Sequence, residues 1–211
     1  MTSPERVFAL CNAVEYIVEN RIEGDCVECG VWRGGSMAAT AQILVQSNEM
    51  DRRLWMYDTF EGMSEPSKAD VDLRGQAAKK LLDDQDRLDE KSIWCFSPLN
   101  QVKETMRKTG YDSGKIEFVK GKVEDTLPTK TPDKIALLRL DTDWYESTRC
   151  EMEHLFPLLV PGGVIIIDDY GHWEGCRRAI DEYVKKNEIS LFLNRIDYTG
   201  RIGIKSPLVN I

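Results

Sequence analysis

Two hydrophobic segments of this 211-residue chain end on aspartates. The first reads Ile135-Ala-Leu-Leu-Arg-Leu-Asp141, and the second reads Val164-Ile-Ile-Ile-Asp168-Asp169. Continuous apolar runs of this kind are typical of strands buried on both faces, as in a parallel sheet. Ligands of such sheets bind outside the carboxyl ends of the strands, where clustered carboxylates repel one another unless a proton or cation lies between them. The pattern therefore predicts a site for a hard cation, such as magnesium or calcium, at the edge of an α/β sheet.

The remaining periodicity predicts five β-α units and a closing β-hairpin, in one domain that spans residues 1–211. An N-terminal helix is predicted within residues 1–24, because apolar residues recur there at helical spacing. The short link at residues 198–200 predicts that the last strand is antiparallel to its predecessor. The predicted fold is an α/β sandwich with a mostly parallel seven-stranded sheet. Its predicted strands are residues 25–31, 54–57, 116–119, 135–140, 164–167, 191–196 and 201–204.

Residues 59–90 are predicted to form a lid. Residues 59–75 show no clear periodicity, and a loop of that length inside a compact domain is more often a lid than a simple connection. A charged helix is predicted to follow at residues 76–90. Further helices are predicted at residues 37–46, from residue 97 onward, at 145–159 and at 174–186.

Composition argues against several classes of function. The net charge of −8 argues against a nucleic-acid binder, because phosphates are neutralised by a basic surface. No apolar stretch reaches the length of about 18 residues that spans a membrane. The N-terminal residues lack the pattern of a signal peptide, so we expect a cytoplasmic protein with reduced cysteines. Cys26 and Cys29 form a C-x-x-C pair inside a predicted strand, where their side chains would point to opposite faces as packing residues.

The turn after the first predicted strand is rich in glycine and reads Gly30-Val-Trp-Arg-Gly34-Gly35-Ser36. Glycines at such a turn let backbone N–H groups approach a ligand closely. The spacing is neither the dinucleotide-binding fingerprint nor a P-loop, and no Lys-Ser or Lys-Thr pair follows to hold a triphosphate. The pattern fits a nucleoside ligand without a phosphate chain, such as S-adenosylmethionine. A tight structural turn explains the glycines equally well.

Two further strand ends are candidates for nucleoside binding. Asp58 ends the second predicted strand, where a carboxylate can accept hydrogen bonds from both hydroxyls of a ribose. Gly121 follows the third strand and can allow close approach of an adenine, with Val123 against its flat face. A plain turn before a helix explains Gly121 and Val123 as well.

Three polar residues near the aspartates have alternative roles. Asp143 competes with Asp141 as a ligand, but it lies two residues into the loop and is predicted to cap the helix that starts at Tyr145. His172 is either a second acid/base group or an ordinary loop histidine. Arg139 lies inside the fourth strand, so it should pair with a carboxylate if it is buried.

Together these motifs resemble the macrocin and mycinamicin O-methyltransferase family, which includes a novobiocin sugar methyltransferase. The resemblance covers the chain from about residue 27 to residue 183. It rests on Val27-Glu-Cys-Gly-Val-Trp-Arg-Gly-Gly-Ser36, Tyr57-Asp-Thr-Phe-Glu-Gly62, Leu138-Arg-Leu-Asp-Thr-Asp-Trp-Tyr-Glu-Ser-Thr148 and Pro161-Gly-Gly-Val-Ile-Ile-Ile-Asp-Asp-Tyr170. The last two motifs also resemble catechol and caffeoyl-CoA methyltransferases, which share the Rossmann-like class I methyltransferase fold.

The resemblance implies a role for each matching residue. Asp141, Asp168 and Asp169 would bind magnesium, and Asp141 would also act as the base. The family's S-adenosylmethionine site would be lined by Glu28, Gly30, Gly34 and Ser36, with Asp58 on the ribose.

The predicted activity is a magnesium-dependent transfer of the methyl group of S-adenosylmethionine to a hydroxyl of a sugar or glycosylated natural product. One alternative within the same chemistry is methylation of a catechol-type phenol. Another is a non-catalytic nucleotide- or metal-binding module. The expected partner is a small hydroxyl-bearing acceptor, and because family members often associate, a homo-oligomer is expected.

Overall fold

The computed structural model describes residues 2–87, 89 and 92–206, and its centre is a seven-stranded sheet. The sheet order is β3-β2-β1-β4-β5-β7-β6. Strands β1 to β5 are parallel, and β7 is antiparallel to both of its neighbours, which confirms the predicted topology. The strands are β1 (Asp25–Cys29), β2 (Leu54–Asp58), β3 (Ile116–Lys120), β4 (Ile135–Leu140), β5 (Leu159–Ile167), β6 (Leu193–Arg195) and β7 (Arg201–Ile204).

Helices cover both faces of this sheet. One face carries α1, α2 and α4, whose apolar residues pack with Cys26 and Met56 of the strands. The other face carries α6 and α7, packed with Cys29 and Leu138. Cys26 and Cys29 therefore lie on opposite faces and are both free, as predicted. The helices are α1 (Pro4–Glu19), α2 (Gly35–Gln46), α3 (Ala78–Asp83), α4 (Leu99–Arg107), α5 (Val123–Thr126), α6 (Tyr145–His154) and α7 (Glu174–Lys186), with 3₁₀ turns at Ser113–Lys115 and Phe156–Leu158.

Three elements differ most in length from their predictions, while β1 and β6 are shorter than predicted by two and three residues. The charged helix predicted at residues 76–90 is only the six-residue α3, and residues 88 and 90 of that range lie outside the described residues. Helix α6 ends at His154, because Pro157 lacks the N–H that a continuing helix needs. Strand β5 begins at Leu159, five residues before the predicted start at Val164, and includes Pro161-Gly-Gly.

The direction of the strand order reverses between β1 and β4, and this reversal positions the site. From β1, the strands β2 and β3 follow on one side of the sheet, and β4 and β5 follow on the other side. At such a switch point the connections leave in opposite directions and a crevice opens at the carboxyl ends of the strands. Cys29 of β1 pairs with Leu140 of β4, so the glycine turn and Asp141 begin side by side.

Among the described residues, none of the helices has both the length and the apolar character needed to cross a membrane.

Candidate functional site

A cavity of about 410 Å³ opens at this switch point. Its floor is formed by residues that follow β1, β2, β3, β4 and β5, and one wall is formed by the segment between β2 and α4. Of the residues predicted from the sequence, the cavity wall includes Gly30, Asp58, Gly121, Val123, Asp141, Asp168, Asp169 and His172.

Three carboxylates converge on one side of the cavity. Asp141, Asp143 and Asp169 each contribute one oxygen, and these oxygens all lie within 4.8 Å of one another. The Oδ2 atom of Asp169 is buried and has no hydrogen-bond partner in the part of the chain that the structure describes. An orphaned carboxylate oxygen beside two others fits a hard divalent cation, which prefers oxygen ligands.

The raised pKa values of the clustered carboxyl groups agree with a cation site. Burial raises the pKa of Asp143 to about 7, and the charges of Asp141 and Asp168 add to the shift. Burial and the neighbouring carboxylates also raise the pKa of Asp141 and of Asp169 well above the usual range, although Arg139 opposes the shift of Asp141. Three carboxylates this close are stable only with bound protons or a cation between them.

Asp168 does not join this cluster. Its Oδ2 atom lies 2.5 Å from Nη1 of Arg6, and its Oδ1 atom lies 2.8 Å from Nη2 of Arg139. Thr199 donates a hydrogen bond to its backbone carbonyl. Because successive side chains at a strand end point in opposite directions, Asp168 turns toward the two guanidinium groups while Asp169 turns into the cavity. The acidic cluster therefore contains Asp143 where the sequence pointed to Asp168, and which of these carboxylates bind a metal stays a prediction.

Asp143 is not the helix cap that the sequence suggested. The N-cap position of α6 is Trp144, and the Tyr145 N–H donates to Oδ1 of Asp70 at 2.7 Å. The backbone φ of Asp143 is +67°, a left-handed conformation that is uncommon outside glycine and that asparagine and aspartate tolerate best. This conformation makes Asp143 a third member of the cluster, two residues after Asp141.

Arg139 pairs with carboxylates, as predicted, and it does so with three of them. Its Nη1 atom lies 2.5 Å from Oε1 of Glu28 and 2.8 Å from Oδ2 of Asp141, while Nη2 contacts Asp168. Glu28 is only 2% exposed, and burial raises its pKa to about 7 against the opposing charge of Arg139. Glu28 is not among the residues that line the cavity, and its carboxylate orients Arg139, so its predicted contact with the cofactor stays a prediction.

The glycine turn allows β1 and β4 to meet. A Cβ atom on Gly30 would lie 1.9 Å from the carbonyl oxygen of Asp141, so only glycine permits this close approach. Gly34 and Ser36, predicted to bind the cofactor, are outside the cavity wall. A Cβ atom on Gly34 would meet Val102 of α4 at 3.0 Å, and Ser36 lies in the first turn of α2.

Asp58 lies in the cavity wall, and its carboxylate also holds the glycine turn in place. Its Oδ2 atom accepts hydrogen bonds from the N–H groups of Val31 (2.7 Å) and Trp32 (3.0 Å), and Oδ1 accepts from Phe60 (2.6 Å). This holding role was not foreseen from the sequence. The ribose contact of Asp58 stays a prediction, because most of its acceptor capacity is already used by the backbone.

His172 lines the cavity after β5 and lies in a group of aromatic residues. Its Nδ1 atom is 3.2 Å from the hydroxyl of Tyr198, and its ring lies edge-to-face against Trp173 with centroids 4.7 Å apart. Burial lowers the pKa of His172, with Asp72 opposing the shift, so the imidazole is neutral near pH 7. A neutral imidazole can accept a proton, and its role as an acid/base group stays a prediction.

Glu151 contacts the loop that carries Asp141 and Asp143, and its raised pKa can be tested by measuring stability against pH. It is fully buried, and its Oε1 atom accepts a hydrogen bond from Thr142, the residue between Asp141 and Asp143. Burial raises the pKa of Glu151 well above its usual value. The protonated form of Glu151 therefore contributes to the free energy of unfolding. This contribution is complete below the unfolded pKa of about 4.3 and is lost as the pH rises through the raised folded pKa.

Glu151→Gln is expected to be more stable than the wild type at pH 8 and no more stable at pH 4, because glutamine keeps the acceptor for Thr142 but cannot ionise. Thermal unfolding at several pH values measures this difference in stability. In a chain of this size, the melting temperature shifts by about 2–4 °C for each kcal/mol. The control is Glu153→Gln, on the exposed face of the same helix. A difference between Glu151→Gln and the wild type that does not change with pH would show that Glu151 does not ionise in this range.

Residues 1–202 match the model of the macrocin-O-methyltransferase (TylF) family. The chain is 36% identical over 200 residues to 8-demethyl-8-(2,3-dimethoxy-alpha-L-rhamnosyl)-tetracenomycin-C 4'-O-methyltransferase of Streptomyces olivaceus, covering 95% of this chain and 73% of that relative. It is 34% identical, with the same coverage, to demethyldecarbamoylnovobiocin O-methyltransferase of Streptomyces niveus. The solved structure of the O-methyltransferase NovP matches with a TM-score of 0.81 and 32% identity, over 96% of this chain and 80% of that one.

Proposed function

This chain belongs to the macrocin-O-methyltransferase (TylF) family, and from this premise we propose that it methylates a hydroxyl group of a sugar or glycosylated natural product with the help of a divalent cation. Family membership makes it an S-adenosylmethionine-dependent O-methyltransferase. The cation and the acceptor are the parts of the proposal that go beyond the family. The cation is inferred from one observation, the convergence of the Asp141, Asp143 and Asp169 carboxylates at the edge of the cavity.

The cavity has two sides with different chemistry. The side nearer β2 and β3 offers Gly30, Asp58, Gly121 and Val123, which suit a nucleoside, and we assign the cofactor to it. The other side has the three carboxylates together with His172, Trp173 and Tyr198, and we assign the acceptor to it. This arrangement would set the acceptor hydroxyl opposite the methyl group.

The residues of the chain supply orientation and a proton acceptor. A divalent cation held by Asp141, Asp143 and Asp169 would stabilise negative charge developing on the acceptor oxygen. Arg139 holds one oxygen of Asp141 and so orients this carboxylate. Asp141, or the neutral imidazole of His172, would take the proton of the hydroxyl. Holding the reactants at near-attack distance supplies much of the acceleration, because methyl transfer needs little covalent help.

Removal of divalent cations is expected to abolish methyl transfer and leave cofactor binding unchanged. The enzyme would be treated with EDTA, desalted, and assayed for S-adenosylhomocysteine release with and without added MgCl₂. We expect the rate to fall at least about 100-fold and to return with magnesium, since cation stabilisation of the developing charge is worth several kcal/mol. Calorimetric titration of S-adenosylmethionine into the metal-free enzyme is the control. Full activity after exhaustive chelation would contradict the cation and leave the family assignment intact.

The acceptor class is tested by a paired screen. One set of acceptors carries a deoxyhexose with free vicinal hydroxyls on an aromatic aglycone, in line with the rhamnosyl substrate named for the tetracenomycin relative. The other set consists of free catechols. We expect turnover with the glycosylated set and none with the catechols, and the opposite result would favour the phenol alternative.

A further inference from the structure

Residues 64–78, here called the docking segment, lie against the first turns of two helices at once. The indole Nε1 of Trp144, at the start of α6, donates to the carbonyl of Ser64 at 3.0 Å. The N–H of Glu174, the first residue of α7, donates to the carbonyl of Val71 at 3.0 Å. The docking segment therefore satisfies polar groups at both helix starts, where unpaired N–H groups would otherwise remain.

Asp70 is the centre of this contact. It is only 1% exposed, and its Oδ1 atom accepts the hydrogen bond from the Tyr145 N–H at 2.7 Å. Its Oδ2 atom accepts from both the N–H (2.6 Å) and the hydroxyl (2.8 Å) of Ser67, and its carbonyl accepts from the Ala78 N–H at 2.9 Å. One carboxylate thus shapes the docking segment and caps α6 from a distance of 75 positions along the chain.

Gly175 brings α7 to the same point. A Cβ atom on Gly175 would lie 2.1 Å from Oδ1 of Asp70 and 3.1 Å from the backbone nitrogen of Tyr145. The first turns of α6 and α7 therefore meet around a single carboxylate oxygen, with no room for another side chain. Only glycine at position 175 allows this junction.

The two helices follow the two loops that supply the acidic cluster. Asp143 lies two residues before the start of α6, and Asp169 lies five residues before the start of α7. Trp144 and Trp173, between the acids and the helices, pack edge-to-face with centroids 5.0 Å apart. A shift of either helix start would therefore change the spacing between Asp143 and Asp169. Sites that hold reacting groups lose function when such spacing errors reach about 1 Å.

We propose that Asp70 is a positioning residue for methyl transfer, which joins the docking segment to the first turns of α6 and α7 and so sets the spacing between Asp143 and Asp169. The docking segment begins at Ser64, directly after Gly62 and Met63, and all three of these residues line the cavity. The wall of the cavity and the spacing of the proposed cation site are then linked through the Asp70 carboxylate. This inference rests on the proposed function, because the cluster it positions is the proposed cation site.

Asp70→Ala is expected to lower kcat about 100-fold and to raise the half-saturating magnesium concentration at least about tenfold, as a misplacement of about 1 Å would. The KM for S-adenosylmethionine should stay within a few-fold. Terbium luminescence, sensitised by Trp144 and Trp173, measures cation affinity without turnover. The matched control is Asp112→Ala, which removes an exposed aspartate that caps a 3₁₀ turn at the far edge of the sheet.

Gly175→Ala tests the same junction from the other helix. We expect it to weaken terbium binding and kcat as Asp70→Ala does, because the methyl group displaces the Asp70 carboxylate. The double variant should be no worse than the poorer single variant, since residues that share one contact are not additive. If Asp70→Ala does not fold, Asp70→Asn, which keeps one acceptor oxygen, undergoes the same measurements with a smaller expected loss.

The inference is overturned if a folded Asp70 variant keeps wild-type kcat and terbium affinity, whatever its melting temperature. It is also overturned if the losses in Asp70→Ala and Gly175→Ala simply add. These outcomes are distinct from failure of the proposed function, in which the wild type itself neither binds terbium nor responds to magnesium.

Discussion

Asp141→Asn is expected to abolish methyl transfer while S-adenosylmethionine binding stays within a few-fold of the wild type. Asp141 contributes an oxygen to the acidic cluster and is oriented by Arg139, so asparagine removes a negative charge where the cation would bind. We expect kcat to fall at least about 10³-fold, which corresponds to roughly 4 kcal/mol of lost stabilisation of the transition state. Release of S-adenosylhomocysteine measures turnover, and calorimetry measures cofactor affinity.

Two further variants complete this experiment. Asp133→Asn changes an exposed aspartate at the opposite end of β4 and should retain wild-type kinetics. Asp58→Asn should mainly raise the KM for S-adenosylmethionine, since Asp58 holds the glycine turn and lines the proposed cofactor side. The assignment of roles is wrong if Asp141→Asn instead loses cofactor affinity and keeps full activity at saturation.

Arg139→Met is expected to cause the largest loss of stability. The guanidinium group is buried and is the shared partner of Glu28, Asp141 and Asp168. Its removal takes a partner from two buried carboxylates, Glu28 and Asp168, and from the partly buried Asp141. Breaking a buried pair from one side costs about 3–5 kcal/mol. The melting temperature should fall by about 2–4 °C for each kcal/mol. Differential scanning calorimetry measures the change at neutral pH.

The same variant should show a characteristic pH dependence. Burial already raises the pKa of Glu28 to about 7 beside Arg139, and loss of that cation raises it further. A protonated Glu28 needs no counter-ion, so the deficit of Arg139→Met should be smaller at pH 6 than at pH 8. Arg149→Met is the control, because Arg149 pairs with two glutamates on the exposed surface, where such pairs are worth less than about 1 kcal/mol. Equal, small decreases in melting temperature for both substitutions would contradict a stabilising role of the ion pairs around Arg139.

The sheet could be predicted from the sequence because its signal is local. The apolar runs that end at Asp141 and Asp168 give the central strands, and the short link at residues 198–200 gives the antiparallel edge. Element ends were less accurate. The sequence places the start of β5 five residues too late because Pro161-Gly-Gly is typical of a turn, whereas in the structure these residues lie inside the strand.

The site was only partly predictable because its details depend on contacts between distant residues. The strand ends locate Asp141 and Asp169 at the correct edge. The choice between Asp168 and Asp143 depends on Arg6, 162 positions before Asp168, and on the left-handed backbone of Asp143. Asp143 carried one usable signal, since aspartate tolerates this conformation better than most residues. The contact of Asp70 with the start of α6 gave no local signal, because Tyr145 lies 75 positions away along the chain.

The contacts of Arg6 also have a consequence for the order in which the molecule forms. Arg6 lies in the first helix, and its partners Asp168, Asp197 and Thr199 lie in the last quarter of the chain. At a synthesis rate of about 5–20 residues per second, roughly 10–40 s separate the emergence of Arg6 from that of Thr199. The first helix and the central strands can pack during this interval. Arg6 gains Asp197 and Thr199, the two further partners that hold it beside Asp168, only when the final hairpin has formed, so this part of the site is completed last.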